Sequence, residues 1–139
     1  MMKKSIFTKF CTFFAACAFC LCTLLTSAHA EVKDINVDEA LALVAAPAAD
    51  MVFLDVRMPF EFENGHIENA IHIDYYNENF VTDVAELDKN KTYVVYCRSG
   101  VRGGYAMKVM EEQGFENVYN VAGGYIGMYP EKTYDMPSK

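Results

Sequence analysis

Thr92-Tyr93-Val94-Val95-Tyr96-Cys97-Arg98-Ser99-Gly100-Val101-Arg102 is the stretch that decides how this chain is read. Its first five residues are β-branched and aromatic, the composition of a strand. A helical pattern follows over 103–113, with Tyr105, Met107, Val109 and Met110 apolar and Gly114 as its stop. Cys97 therefore falls between the end of a strand and the start of a helix, with Arg98 and Arg102 close by. That setting lowers a thiol pKa. The backbone N–H groups of such a loop converge on an anion, and the helix dipole adds positive potential.

Outward from this stretch, strand-like and helix-like segments alternate, the pattern of a parallel α/β sheet with one core. Residues 33–36 read as a short edge strand. Asn36 caps the next helix, with Glu39 placed for a capping box, and helical spacing runs to Ala46. The apolar run 51–56, ended by Asp55, suits a central buried strand. Pro59 starts a short helix through Phe62, and Gly65 ends it. Residues 70–73 predict a short strand, 77–87 an amphipathic helix with Phe80, Val81, Val84 and Leu87 apolar, 118–121 a last strand, and 125–129 a final short helix after Gly123-Gly124. Ligands bind beyond the carboxyl ends of strands in such sheets, where Cys97 lies.

The first thirty of the 139 residues are set apart. Lys3, Lys4 and Lys9 precede an apolar run, residues 10–25, and Ala28-His29-Ala30 offers a small-x-small cleavage site. This predicts a secretory signal, residues 1–30, cut before Glu31, and a periplasmic domain over 31–139. The run is short for a membrane span and is broken by Thr12 and Thr23; an uncleaved anchor and lipid attachment at Cys17 are the alternatives. Cys11, Cys17, Cys20 and Cys22 leave with this segment, so Cys97 remains without a disulfide partner, either a reactive thiol or an inert buried one. Losing the three lysines takes the net charge from −7 to −10. That balance argues against nucleic acid as a partner, although local potential at one loop can still favour a small anion.

Four stretches in order resemble one family, the single-domain rhodaneses, thiosulfate sulfurtransferases. They are Leu54-Asp55-Val56-Arg57 with Pro59, Glu61 and Phe62; Gly65-His66-Ile67 with Ala70-Ile71; Cys97 to Arg102; and Gly114 to Val118 with Gly123-Gly124. The resemblance covers residues 33–130. It implies a rhodanese-like α/β fold, a parallel sheet with helices on both faces. It also implies ping-pong sulfur transfer through a persulfide on Cys97, from thiosulfate or another sulfane-sulfur donor to cyanide, a small thiol or a protein thiol. No cofactor and no metal enter this reading.

Backbone N–H groups from Arg98 through Ser99, Gly100, Val101 and Arg102 to Gly103 are the expected cradle for thiolate, donor and persulfide. Arg98 and Arg102 each either recruit the anion or serve as a solvated charge or a structural salt bridge to Asp55 or Glu61. Recruitment is the favoured reading for Arg98, and the two stand even for Arg102. Asp55 either orients Arg102 or Arg57 beneath the loop or holds loop N–H groups itself. His66 reads as structural rather than as a base, since a low-pKa thiolate needs none. The six-residue loop, closed by Arg102 and followed by Gly103, is one residue shorter than the Cys-x5-Arg phosphatase loop and suits sulfur rather than phosphoryl transfer. Two departures from the family stand out. Gly103 replaces a small hydroxyl residue common in relatives, and Met128 stands where the family places tryptophan. A persulfide carrier or thiol-redox partner and a non-catalytic binding module are the competing functions.

Overall fold

In the computed structural model, which describes residues 30–132, five parallel strands form one sheet. The expected signal segment lies outside the described residues except for Ala30. The elements are β1 (Glu31–Ile35), α1 (Val37–Ala45), β2 (Met51–Asp55), α2 (Pro59–Glu63), β3 (Ile71–His72), α3 (Phe80–Ala85), β4 (Thr92–Tyr96), α4 (Val101–Glu112), β5 (Asn117–Val121) and α5 (Gly124–Met128), followed by a 3-10 turn, Pro130–Lys132. The sheet order is β1-β5-β4-β2-β3. The chain builds outward from β2 to β3, then returns to lay β4 on the other side of β2. In sheets of this kind ligands bind beyond the carboxyl ends of the strands at such a reversal; here those are β2 and β4, where Asp55 and Tyr96 are register partners.

Strand alternation divides the core. Tyr93, Val95 and Cys97 pack with Leu54, Val118, Phe80 and Val84 of α3 and Ala106 and Met110 of α4 on one face. Val94 and Tyr96 pack with Ala40 of α1, Phe53, Val121, and Tyr125 and Met128 of α5 on the other. Both faces are thus covered, which explains why β4 is buried at every position after Thr92. Cys97 belongs to the α3/α4 face, and that places its sulfur under the start of α4.

The local chemistry sets the helix ends. Asn36 Oδ1 accepts the Glu39 N–H at 2.9 Å and the Glu39 carboxylate accepts the Asn36 N–H at 2.8 Å, the expected capping box. The helix expected over 77–87 is confined to α3. Asn77 Oδ1 takes the Asn79 N–H (2.9 Å) and the Asn77 carbonyl takes the Phe80 N–H (3.0 Å), a turn that competes with helix. α4 starts two residues before the expected Gly103, because Gly100, at φ 97°, turns the chain at once and its carbonyl accepts the Gly104 N–H at 2.9 Å.

Candidate active site

Cys97 is 1% exposed at the end of β4, and its Sγ accepts the Gly100 N–H at 3.1 Å. The next three N–H groups, of Val101, Arg102 and Gly103, form the first turn of α4 and have no acceptor among the described residues. A helix start leaves such donors unpaired, with the positive end of the dipole behind them. The loop carbonyls are tied the other way. Tyr125 N–H donates to the Cys97 carbonyl (2.8 Å) and Ile126 N–H to that of Arg98 (3.1 Å). Gly124 makes this approach possible: its φ is +59°, and a Cβ there would overlap the Arg98 carbonyl. Gly100 is equally constrained, since a Cβ would stand 2.6 Å from the Ala122 carbonyl oxygen. The backbone is thus held with carbonyls toward α5 and donors free around the sulfur.

Beneath the loop, Asp55 and Arg57 form a fully buried ion pair. Asp55 Oδ1 accepts the Arg57 backbone N–H and Nε–H, each at 2.9 Å, and Oδ2 accepts Nη2–H at 2.6 Å. Arg57 Nη2 also donates to the Gly65 carbonyl at 2.7 Å, and the guanidinium lies 4.0 Å from the Tyr125 ring centroid. Of the two partners considered for Asp55, the structure selects Arg57. The same contacts make Arg57 a strut for α5, whose N–H groups hold the loop.

Arg102 takes the structural alternative. Nη1 and Nη2 donate to the Glu61 carboxylate at 2.9 and 3.3 Å, joining α4 to the buried end of α2. Burial works against its charge. The Glu61 carboxylate outweighs this, with the Cys97 thiol adding to it, and holds the guanidinium above its usual pKa. Arg98, half-buried, has no ion-pair partner among the described residues. Ser99 is exposed, as is Val101. His66 Nδ1 lies 2.8 Å from the Phe62 carbonyl and His72 Nε2 lies 2.8 Å from that of Arg57. Both rings stack on Phe62, at 3.7 and 4.6 Å between centroids. Both are structural, as read for His66.

Three features escaped the sequence reading. Asn120 lies buried beside the loop and donates to the Gly100 carbonyl at 3.1 Å. Its signal was Gly103-Gly104, a space in α4 that something else must fill. Tyr125 packs over Arg57, a contact the sequence did not suggest. Tyr76, Val101 and Tyr105 remain 65, 63 and 54% exposed near the loop. Tyr75 links the two tyrosines, and the Tyr76 ring lies 5.6 Å from the Arg102 guanidinium. Single tyrosines carry no positional signal, so only the fold reveals this rim.

Comparison with known proteins gives the family. Residues 36–129 match the Rhodanese-like domain. The chain is 38% identical over 96 residues to a protein named tRNA uridine(34) hydroxylase from Yersinia pestis (strain Pestoides F), and 39% identical over 92 residues to one of the same name from Erwinia tasmaniensis. These matches take in 66% and 63% of this chain but only 26% of either relative, so the chain spans about a quarter of their length. Among solved structures, a rhodanese-like domain protein from Staphylococcus aureus superposes with a TM-score of 0.61 at 27% identity, covering 69% of this chain and 90% of that one. A rhodanese-related protein from Thermoplasma volcanium gives 0.54 at 30%, covering 74% and 95%. With its five-stranded parallel sheet and a family match across the whole sheet beyond β1, the chain belongs to the Rhodanese-like domain family, whose chemistry is of the sulfurtransferase type.

Proposed function

We propose that this protein moves sulfane sulfur from thiosulfate, or a related donor, to cyanide or a thiol through a persulfide on Cys97. The carrying observation is the Gly100 N–H on Cys97 Sγ at 3.1 Å beside the three unpaired N–H groups of the α4 first turn. In the first half-reaction the Cys97 thiolate attacks the outer sulfur of thiosulfate. The S–S bond breaks and its electron pair leaves with sulfite. In the second, the acceptor attacks the terminal sulfur of the persulfide, and the electron pair of that S–S bond returns to Cys97. Each anion in the cycle occupies the region the N–H groups face, so one cradle stabilises all of them. Arg98, with no acidic partner among the described residues, recruits the dianion. Arg102, engaged by Glu61, holds α4 in place. Asp55 and Arg57 support the loop from below.

The acidic balance of the chain supports small molecules or proteins as partners and not nucleic acid. The tRNA chemistry named for the longer relatives is therefore not carried over. The lysines and apolar run of residues 1–30 support export to the periplasm. Thiocyanate production from thiosulfate and cyanide tests the reading. Wild type is expected to turn over and Cys97→Ser to be inactive yet folded; turnover by Cys97→Ser would overturn it.

The exposed rim of Tyr76, Val101 and Tyr105 favours a second reading, a persulfide carrier serving a protein thiol. Cyanide and thiosulfate gain nothing from apolar surface, whereas a protein acceptor does. Fast sulfur exchange with a protein thiol, slow turnover of thiosulfate, and loss of the former in Tyr76→Ser/Tyr105→Ser would select it.

A further inference from the structure

Position 103 and position 120 face each other across α4 and β5, and their pairing is unusual. Alternation along β5 directs Asn120 to the same face as Val118, where its neighbours are the apolar residues packed under α4. Its register partner on β1 is Asp34. Asn120 Nδ2 donates to Asp34 Oδ1 at 2.7 Å and to the Gly100 carbonyl at 3.1 Å. Both of those partners are acceptors, which fixes the amide orientation: the NH2 group must face them. The amide oxygen then points at Gly103, where it is buried and has no hydrogen-bond donor. A Cβ on residue 103 would overlap that oxygen.

A buried amide with one unpaired acceptor is a poor choice for packing alone. What it does is hold Gly100 from one side. The Gly100 carbonyl accepts two donors, Asn120 Nδ2–H and the Gly104 N–H. The Gly100 N–H, on the other side of the same Cα, meets the Cys97 sulfur. Gly100 sits at φ 97°, in the conformation glycine enters and leaves most freely, so a fixed carbonyl is needed to keep its N–H on the sulfur. Asp34 anchors the amide through a charge-assisted bond.

We propose that Asn120 is the positioning residue for the Cys97 loop, and that position 103 is glycine because the Asn120 amide occupies the volume its side chain would take. The hydroxyl residue expected at 103 by resemblance does not fit this chain; the amide on β5 braces the loop instead. The inference rests on Cys97 as the reacting group, but its test does not need sulfur transfer to be observed.

The test is a double-mutant comparison of Gly103→Ser, Asn120→Ala and the two together, in the full chain. Three quantities are followed: the melting temperature, iodoacetamide labelling of the Cys97 peptide by mass spectrometry, and exchange of the Gly100 amide proton by NMR. Asn120→Ala is expected to slow labelling about fivefold, the worth of one hydrogen bond, and to speed Gly100 exchange. Where thiosulfate turnover is measurable, kcat falls and KM stays within about twofold. Gly103→Ser alone is expected to lower both melting temperature and labelling, and the double variant to recover at least about tenfold in labelling over it. A merely structural asparagine would lower the melting temperature and leave Gly100 exchange and labelling of the folded protein unchanged, and that result overturns the proposal. So does a Gly103→Ser protein that behaves as wild type, or a double variant whose loss equals the product of the two singles. Asn120→Ser replaces Asn120→Ala if the latter does not fold, with the same expectations. Failure of thiosulfate to load Cys97, with the labelling pattern intact, would count against the proposed donor and leave the positioning role standing.

Discussion

Replacing Asp55 by asparagine is a change of one atom with a large expected cost. Asp55 is fully buried, and both its oxygens are engaged by Arg57. The amide keeps the shape of the carboxylate but turns an NH2 group toward the guanidinium Nη2, donor against donor, and removes the negative charge that binds Arg57 at 2.6–3.0 Å in the core. Breaking one partner of a buried pair costs about 3–5 kcal/mol. For a domain near 100 residues each kcal/mol is worth roughly 4–8 °C, so the melting temperature should fall by on the order of 12–40 °C. Urea unfolding is the assay. The midpoint should drop while the slope stays constant, because the surface exposed on unfolding is the same. Asp55→Leu with Arg57→Met should recover much of the loss, since apolar replacement of a buried pair is often near neutral. A loss under about 1 kcal/mol for Asp55→Asn would refute the reasoning, because it would mean that the Asp55 charge adds little to what the other contacts of Arg57 supply.

Gly124→Ala should destabilise the protein by more than about 1 kcal/mol, through positive φ and the clash with the Arg98 carbonyl, and should slow Cys97 labelling in what remains folded. Arg102→Met removes the guanidinium that binds the Glu61 carboxylate, whose side chain is 1% exposed, and should cost about 3–5 kcal/mol in urea unfolding; Arg102→Lys should cost less but lose the two-point contact. Burial raises the phenol pKa of Tyr93, Tyr96 and Tyr119, the last to about 12 with help from the Glu31 carboxylate. A raised phenol favours the neutral form in the folded state. The stability it contributes is therefore complete below the unfolded value of about 10 and is lost as pH rises through the folded one. Absorbance titration at alkaline pH should show Tyr119 ionising near 12 and Tyr96 only with unfolding; ionisation of all tyrosines near the ordinary value of about 10 in folded protein would contradict this.

Much of this fold was legible because its central elements obey local rules. β4 was placed to the residue by its apolar, β-branched run, and α1 by Asn36 and Glu39, whose capping box forms as spaced. The ends of α3 and α4 were less legible for opposite reasons. Asn77 diverts its backbone into a turn, and Gly100 starts a helix that the glycines after it obscure. At the site, Cys97 and its loop could be read because strand, thiol and helix start are contiguous. The choice among partners could not, since Asp55 and Glu61 are both acids within reach of arginine in sequence terms. Which carboxylate meets which guanidinium depends on how α2 packs under α4. Asn120 was illegible because its partners, Asp34, Gly100 and Gly103, come from separate segments.

The central claim is a persulfide on Cys97, and mass spectrometry tests it most directly. The purified protein is incubated with thiosulfate, beside Cys97→Ser, and weighed before and after cyanide. The account predicts a gain of one sulfur atom, mapped to the Cys97 peptide, in wild type only, lost to cyanide as thiocyanate appears. No gain in wild type would contradict thiosulfate as the donor, and an equal gain in Cys97→Ser would contradict Cys97 as the site.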